Sequence, residues 1–295
     1  MRHLLALLGV AVVLAIAPAR AEGPRIVATI PPLQSLAAMA APDEAPTPVL
    51  LLPPGSSPHN YSLRPSDATA LGRADLVAWV GPALESGLER ALMQLGRGAE
   101  KLAMQEAPGM VTHPLRDAGV LEDDHGHGHG HEDGDIDPHL WLDPRNAVAY
   151  VKALGRFLER PVDEAVVRLE ALDARLAERL APVQGRPFLV LHDSLQYLEK
   201  RYDLRAVGSL SLGPDRQPGA RRLAQLRAVA RETGARCLVA EPGVPDSALR
   251  PLIEGLDMRI ARIDPLGAEG EPGADLYPAM MADAVARLVD CLQGK

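Results

Sequence analysis

Short apolar runs alternate with segments of helical periodicity along most of this chain. The runs have the aliphatic and often β-branched character of buried strands, and they lie at 26–30, 49–52, 76–80, 101–104, 188–191, 205–207, 237–240 and 259–263. Between several of these runs, apolar residues recur at steps of three and four, which is typical of helices that cover a sheet. This alternation predicts parallel sheets with helices on both faces, and so an α/β protein.

The longest helical pattern divides the strands into two groups. Its apolar positions are Val162, Val166, Leu169, Leu172, Leu176 and Leu180. A helix of about 19 residues spans about 28 Å and makes a stiff connection. We therefore predict two lobes, each a mainly parallel sheet flanked by helices, joined by a long rigid linking helix. The expected bounds are 22–160 for the N-terminal lobe, 161–182 for the linking helix and 183–295 for the C-terminal lobe.

Residues 1–21 have the pattern of a cleavable secretory signal peptide. Arg2 precedes an apolar run over residues 4–17, and Ala19-Arg20-Ala21 is a small-x-small cleavage site. We expect the mature chain to begin at Glu22. No cysteine follows the apolar run, so we expect no lipid anchor. The expected location is the periplasm, with secretion into the medium as the alternative.

The net charge limits the classes of partner. The chain carries a net charge of -8, and removal of the predicted signal peptide, which has two arginines and no acid, makes it -10. Such a balance argues against nucleic acid and anionic membranes as partners, and it suits a protein that attracts cations.

Three histidines in separate segments are candidate metal ligands. His192 follows the apolar run at 188–191, where open α/β sheets bind their ligands, and His59 and His139 lie in motif-like loops upstream. A structural, hydrogen-bonded role is the alternative for any one of them. Taken together, they favour a metal site.

Two acidic residues also follow predicted strands. Glu241 precedes a proline, which favours hydrogen bonds to loop amides over metal ligation. For Asp264, a turn-capping role and a place near the metal are equally compatible with the sequence. The fourth ligand is therefore left open between water, Asp264 and Glu241.

An acidic loop at 122–137 interrupts the strand and helix pattern. It contains four histidines that alternate with glycine, from His125 to His131. Such a segment is typical of weak, labile metal capture, and a solvated acidic loop is the alternative.

The chain has two cysteines, Cys237 and Cys291. An even pair in an exported protein favours a disulfide, which would tie the C-terminal helix to the sheet. Zinc ligation by the two thiols is the alternative.

Several segments together resemble one family of proteins. They are SPHNYSLRPSD at 57–67, the acidic His-rich insert, HLWLDP at 139–144, HDS at 192–194, QPGA at 217–220, AEP at 240–242 and DPLG at 264–267. In this order they are similar to the zinc-binding solute-binding proteins of ABC importers, the ZnuA family. The similarity covers essentially the whole mature chain.

The resemblance implies a metal site in the cleft between the lobes. His59 and His139 match ligands from the first lobe, and His192 matches a ligand from the second. Asp264 matches a carboxylate that completes the site in manganese relatives, and Pro58 stands where some zinc members carry an acid. The family's cysteine pair matches Cys237 and Cys291.

The resemblance also implies capture and delivery of Zn²⁺, with no catalysis. The expected partners are zinc itself and an importer made of a membrane permease and its cytoplasmic ATPase, and we expect a monomer. Three imidazoles suit tetrahedral zinc, whereas manganese prefers more oxygen ligands. The alternatives are a manganese- or iron-binding protein of the same importer class, a zinc-dependent periplasmic hydrolase, and a passive zinc buffer. The hydrolase is disfavoured because no H-E-x-x-H motif is present.

Overall fold

The computed structural model describes residues 23–42, 45–53, 55–116, 119–121, 136–211 and 219–294. The predicted signal peptide and the histidine repeat at 125–131 lie outside these ranges.

The first sheet consists of four parallel strands in the order β2-β1-β3-β4. The strands are β1 (Ile26–Ala28), β2 (Val49–Leu50), β3 (Leu76–Trp79) and β4 (Glu100–Ala103). Its helices are α1 (Pro31–Ala40), α2 (Pro65–Arg73), α3 (Pro82–Glu85) and α4 (Glu89–Leu95). Proline opens the first three helices, where its fixed φ suits the first turn and its missing N–H costs no hydrogen bond.

Two long helices follow, α5 (Pro144–Phe157) and α6 (Asp163–Leu180). Asp143 caps α5, because its side chain accepts a hydrogen bond from the backbone N–H of Arg145. The predicted linking helix is α6, and its apolar stripe is buried at Leu169, Leu172, Leu176 and Leu180.

The second sheet has the order β5-β7-β6-β8-β9. Its strands are β5 (Gly119–Val120), β6 (Pro187–His192), β7 (Arg205–Ser211), β8 (Cys237–Ala240) and β9 (Arg259–Arg262). Its helices are α7 (Gln196–Tyr202), α8 (Ala220–Thr233), α9 (Asp246–Ile253) and α10 (Leu276–Gln293). All pairs are parallel except β5 with β7, so the sheet is mainly parallel, as predicted.

The two sheets share a central layer of helices. Helix α6 packs on α5 and α10, and α1 packs on the same two helices. One large cluster of buried residues therefore joins the inner faces of both sheets through this layer. The linking helix is thus built into a common core that holds the two lobes together.

Alternate residues of the central strands enter different cores. Ile26 and Ala28 of β1 face the central core, whereas Val27 faces a second cluster on the outer side of the first sheet. In β6, Phe188 and Val190 face the central core, and Leu189 faces a third cluster beneath α8. Because these strands are buried on both faces, their sequences are continuous apolar runs and do not alternate with polar residues.

Strand β5 is an element that the sequence pattern did not predict. No strand is predicted between the run at 101–104 and the acidic loop at 122–137, yet residues 119–120 pair with Gly208 and Ser209 of β7. A two-residue strand carries no usable periodicity, and its partner lies about 90 residues away in the chain. The predicted strand at 205–207 likewise extends further, past Gly208 to Ser211.

None of the helices in the described ranges has the length and apolar character needed to cross a membrane.

A disulfide joins Cys237, the first residue of β8, to Cys291 near the end of α10. Both residues are buried in the central core. The disulfide predicted from the cysteine pair is therefore present, and the alternative of thiol ligation does not apply.

Removal of this cross-link should lower stability. The Cys237→Ala/Cys291→Ala variant should lose up to about 4 kcal/mol in the free energy of unfolding, because the bond closes a loop of 54 residues in the unfolded chain. Urea denaturation followed by circular dichroism measures the difference. Chemically reduced wild-type protein is the control, and an unchanged midpoint in both samples would contradict the prediction.

Candidate metal centre

His59 lies in a short 3-10 turn, Pro58–Asn60, beyond the carboxyl end of β2. The segment after the turn is held on the first sheet. There, Arg64 Nη2 donates to the carbonyl of Leu51, and Tyr61 Oη donates to Asp67 Oδ2 (2.6 Å). The His59 side chain is partly exposed, whereas the other two candidate ligands are buried.

His139 lies immediately before a 3-10 turn, Leu140–Leu142, that leads into α5. Asp137 Oδ1 accepts hydrogen bonds from the backbone N–H of His139 (2.9 Å) and from its Nδ1 (2.8 Å). Because a carboxylate only accepts, Nδ1 carries the proton and the lone pair of a neutral ring lies on Nε2. In the sequence, Asp137 is the last acid of the loop at 122–137. Its position two residues before His139 was the signal for this orienting role.

His192 is the last residue of β6, so the predicted position at the strand end is correct. Its Nδ1 donates to Glu241 Oε1 (2.7 Å), and its Nε2 is buried without a hydrogen-bond partner. Glu241 follows β8, the neighbour of β6, and the ends of these two parallel strands bring the pair together. Glu241 was expected to bind loop amides through its side chain. Instead, its carboxylate orients His192.

The three imidazoles converge on one point. The ring centroids are 5.7 Å apart for His59 and His139, 5.6 Å for His59 and His192, and 5.0 Å for His139 and His192. One nitrogen from each ring lies within 4.8 Å of those of the other two. Ligands about 2.0 Å from a tetrahedral ion are about 3.3 Å apart, so a shift of about 1.5 Å or less would complete the geometry.

The surroundings of His59 favour the neutral form of its ring. The pKa of His59 is lowered to about 3, chiefly by burial and further by the two neighbouring rings. At neutral pH its ring is therefore uncharged and able to donate a lone pair. Burial alone would raise the pKa of Glu241, but the hydrogen bond from His192 and the proximity of the other histidine rings lower it overall, so its carboxylate is ionised.

Asp264 is engaged in its own loop. Its Oδ1 accepts from the backbone N–H of Leu266 (2.9 Å) and its Oδ2 from that of Ala268 (2.7 Å). Of the two possibilities left open for this residue, the structure shows the turn-capping one. Within the described residues, the group with the spacing of a metal site is formed by the three histidines alone.

A wider frame of hydrogen bonds holds the turn after His139. Trp141 Nε1 donates to the carbonyl of Pro265 (2.7 Å), and Tyr277 Oη donates to the carbonyl of Trp141 (2.8 Å). These bonds connect the first lobe to the second lobe and to α10. The sequence did not reveal them, because both partners are backbone carbonyls that are distant in the chain.

Comparison with known proteins identifies the family of this chain. Residues 26–291 match the family described as zinc-uptake complex component A, periplasmic (ZnuA). The high-affinity zinc uptake system protein ZnuA of Brucella abortus is 33% identical over 305 residues, which cover 90% of this chain and 91% of the relative. That of Paracoccus denitrificans is 35% identical over 308 residues, covering 93% and 94%.

Solved structures share the fold. A crystal structure of ZnuA superposes with a TM-score of 0.73 at 21% identity, and it covers 92% of this chain and 100% of its own. A zinc-bound ZnuA deletion mutant gives a TM-score of 0.72 at 22% identity, covering 92% and 98%. With a family match over nearly the whole described chain and relatives above 30% identity, this protein belongs to the ZnuA family of periplasmic zinc-uptake components.

Proposed function

We propose that this protein captures Zn²⁺ in the periplasm and delivers it to an ABC importer, whose membrane permease and cytoplasmic ATPase complete the uptake system. Membership of the ZnuA family supports this role, since the curated relatives are named high-affinity zinc uptake proteins. The observation that carries the proposal is the convergence of three imidazole nitrogens from separate segments.

We further propose that His59, His139 and His192 bind the metal through nitrogen and that water fills the fourth position. Both buried rings have Nδ1 engaged by a carboxylate, which leaves Nε2 available. Hydrogen bonds of this kind orient metal-binding histidines and raise their basicity. We assign the fourth position to water because the carboxylates of Asp264 and Glu241 accept hydrogen bonds from other groups, Asp264 from loop amides and Glu241 from His192.

The ligand chemistry favours zinc over manganese or iron of the same importer class. Three neutral nitrogen donors suit tetrahedral Zn²⁺, whereas Mn²⁺ is bound mainly by carboxylate and carbonyl oxygens. The nearest carboxylates, Asp137 and Glu241, each hydrogen-bond a histidine ring. Calorimetric titration of metal-free protein with Zn²⁺ and Mn²⁺ tests this preference, and tighter binding of Mn²⁺ would contradict it.

We propose that the bound zinc is cargo and that the protein is not an enzyme. Zinc with an open position can activate water, but hydrolysis also needs a group that moves protons. The two carboxylates beside the site, Asp137 and Glu241, each accept a hydrogen bond from a histidine ring, so neither is free to act as a general base. A hydrolase assay on zinc-loaded protein is the direct test.

We also propose that residues 1–21 are removed on export. Their sequence supports a signal peptide, and the family description places its members in the periplasm. Amino-terminal sequencing of protein from the periplasmic fraction should find Glu22 first, and an intact Met1 would contradict the proposal.

Loss of any single histidine should weaken zinc binding. We expect His59→Ala, His139→Ala and His192→Ala each to raise the Kd for Zn²⁺ by at least about tenfold, because each removes one of three protein ligands. Competition against a chelator measures the change. The parent for all three variants is a chain without residues 125–131, so that the His-rich loop cannot replace the lost ligand. Wild-type affinity in His59→Ala on this background would refute the ligand set.

Acid should destabilise the metal-free protein. The pKa of His59 is about 3 in the folded state and about 6.5 in an unfolded chain. Between these values the unfolded state binds a proton that the folded state does not, so the free energy of unfolding falls as the pH drops from about 6.5 towards 3. Urea denaturation at pH 7 and pH 5 should show a smaller loss for His59→Gln, which does not titrate, than for wild type. Equal losses would contradict the assignment.

Deletion of the His-rich loop should separate two classes of zinc site. We expect removal of residues 125–131 to abolish weak binding and to leave the tight site nearly unchanged. Ordering a glycine-rich segment around an ion costs about 1–2 kcal/mol per residue, whereas the three-histidine site lies on a packed framework. Zinc titration of the deletion protein beside wild type tests this, and loss of the tight site would make the loop histidines the primary ligands.

A further inference from the structure

A segment of the first half of the chain connects the two lobes beside the metal site. We call residues 110–116 the strap. At its start, Val111 N–H donates to Asn146 Oδ1 (2.7 Å), and Asn146 Nδ2 donates back to the carbonyl of Val111 (2.9 Å). Asn146 lies on α5, and its Nδ2 also donates to the carbonyl of Leu140, in the turn that follows His139 (3.1 Å). The strap is therefore fastened at this end to the segment that carries His139.

The middle of the strap is paired with the residues that precede His139. The backbone N–H of Asp137 donates to the carbonyl of His113 (2.9 Å), and Pro114 forms an antiparallel bridge with Ile136. Asp137 is the carboxylate that orients the His139 ring. The position of the strap therefore sets the position of Asp137.

Helix α7, which follows His192, binds both strands of this pair. Tyr197 Oη accepts from the backbone N–H of His113 (3.2 Å) and donates to the carbonyl of Asp137 (2.9 Å). With its amide nitrogen facing these acceptors, Gln196 donates to Asp137 Oδ2 (2.8 Å) and to the carbonyl of Pro114 (3.1 Å).

Arg116 closes the network at the far end of the strap. Its Nε donates to Asp193 Oδ2 (3.0 Å), and its Nη1 and Nη2 donate to the two oxygens of Glu199 (3.0 and 2.9 Å). Nη2 also bonds Asp193 Oδ1. Asp193 is the residue after His192, and both carboxylate side chains are at most 5% exposed.

This ion-pair cluster depends on the guanidinium. Burial raises the pKa of Glu199, and the hydrogen bonds and charge of Arg116 oppose that rise. Two buried carboxylates beside one another are strongly unfavourable without a cation, so loss of Arg116 would leave them uncompensated. A planar guanidinium can satisfy both acids at once, whereas an ammonium acts as a point charge.

The contacts of His59 differ from those of the other two histidines. After His59, the hydrogen bonds from Arg64 to Leu51 and from Tyr61 to Asp67 run within the first lobe. By contrast, residues close to His139 and to His192 in the chain hydrogen-bond to the strap. Asp137 bonds to His113, and Asp193 bonds to Arg116. The site thus consists of a connected histidine pair and a third ligand from a separate loop.

We propose that Arg116 is a positioning residue for the metal site: Arg116 holds His139 and His192 at their mutual spacing before the metal binds. It does so because its ion pair connects the strap, to which Asp137 is hydrogen-bonded, with Asp193, the residue that follows His192. This inference rests on the proposed function. A pair that is already spaced for the metal loses less freedom on binding, and so it binds more tightly.

The experiment compares Arg116→Met and Arg116→Lys with a matched control, Arg201→Met. Arg201 also forms a forked, partly buried ion pair, with Asp173 of α6, and neither residue of this pair belongs to the strap. Each full-length mature protein is titrated with chelator-buffered zinc, in a range of free zinc that fills only the tight site. Co²⁺ is the second probe, because its visible absorption reports ligand geometry, and urea denaturation gives the stability of each metal-free variant.

We expect Arg116→Met to raise the Kd for Zn²⁺ by about tenfold or more and to alter the Co²⁺ spectrum, with Arg116→Lys between it and wild type. Arg201→Met should lose stability yet keep its Kd within about twofold and retain the wild-type spectrum. The proposal is overturned if folded Arg116→Met binds both metals as wild type does, or if Arg201→Met weakens zinc equally.

If Arg116→Met does not fold, Arg116→Lys provides the test. A wild-type Kd for Zn²⁺ and a wild-type Co²⁺ spectrum in Arg116→Lys would then overturn the proposal. The three His→Ala variants separate this inference from the proposed function. Wild-type zinc binding in the His→Ala variants refutes the site itself. Weakened zinc binding in the His→Ala variants together with wild-type binding in the Arg116 variants refutes only the positioning role.

Discussion

The site depends on two hydrogen bonds between a carboxylate and an imidazole. Asp137 binds Nδ1 of His139, and Glu241 binds Nδ1 of His192. Each bond places the proton on the outer nitrogen and turns the inner one towards the other rings. Without them, a buried histidine would be free to turn either nitrogen inwards. The carboxylates also lie close to the proposed metal position. They would compensate the charge of an ion bound there without becoming its ligands, which would keep the donor set rich in nitrogen.

Those bonds hold their geometry because the frame around them is rigid. The inner faces of both sheets bury their side chains against one layer formed by α1, α5, α6 and α10. The disulfide between Cys237 and Cys291 fastens the last of these helices to β8, the strand that precedes Glu241. A linking helix enclosed in a common core disfavours large hinge motions. The turn that carries His59 is left as the part best able to adjust by the small distance that tetrahedral coordination would require.

The strap adds a second level of organisation within this frame. Polar contacts from Asn146, Tyr197, Gln196 and Arg116 connect the His139 segment to the end of β6. Because these contacts are buried or partly buried, breaking one would leave a polar or charged group poorly solvated and without its partner, so the arrangement is favoured. His59 belongs to a separate loop of the first lobe. The protein thus divides the three proposed ligands unequally between a fixed pair and a single residue.

The sequence alone determined the class of fold, the linking helix, the three candidate histidines and the cysteine pair. Local pattern suffices for these, since buried parallel strands are continuous apolar runs and histidines at strand ends and in motif-like loops stand out in a chain with nine histidines. Only the tertiary structure decided which polar groups meet. Strand β5, the pairing of Glu241 with His192, the turn-capping role of Asp264 and the strap with Arg116 join residues that are either far apart in the chain or chemically ambiguous on their own. A carboxylate in a sequence fits a ligand, a cap or an ion pair equally well. Its role is set by the donors that folding brings within hydrogen-bond distance, because a buried charge must be satisfied by whichever partners surround it.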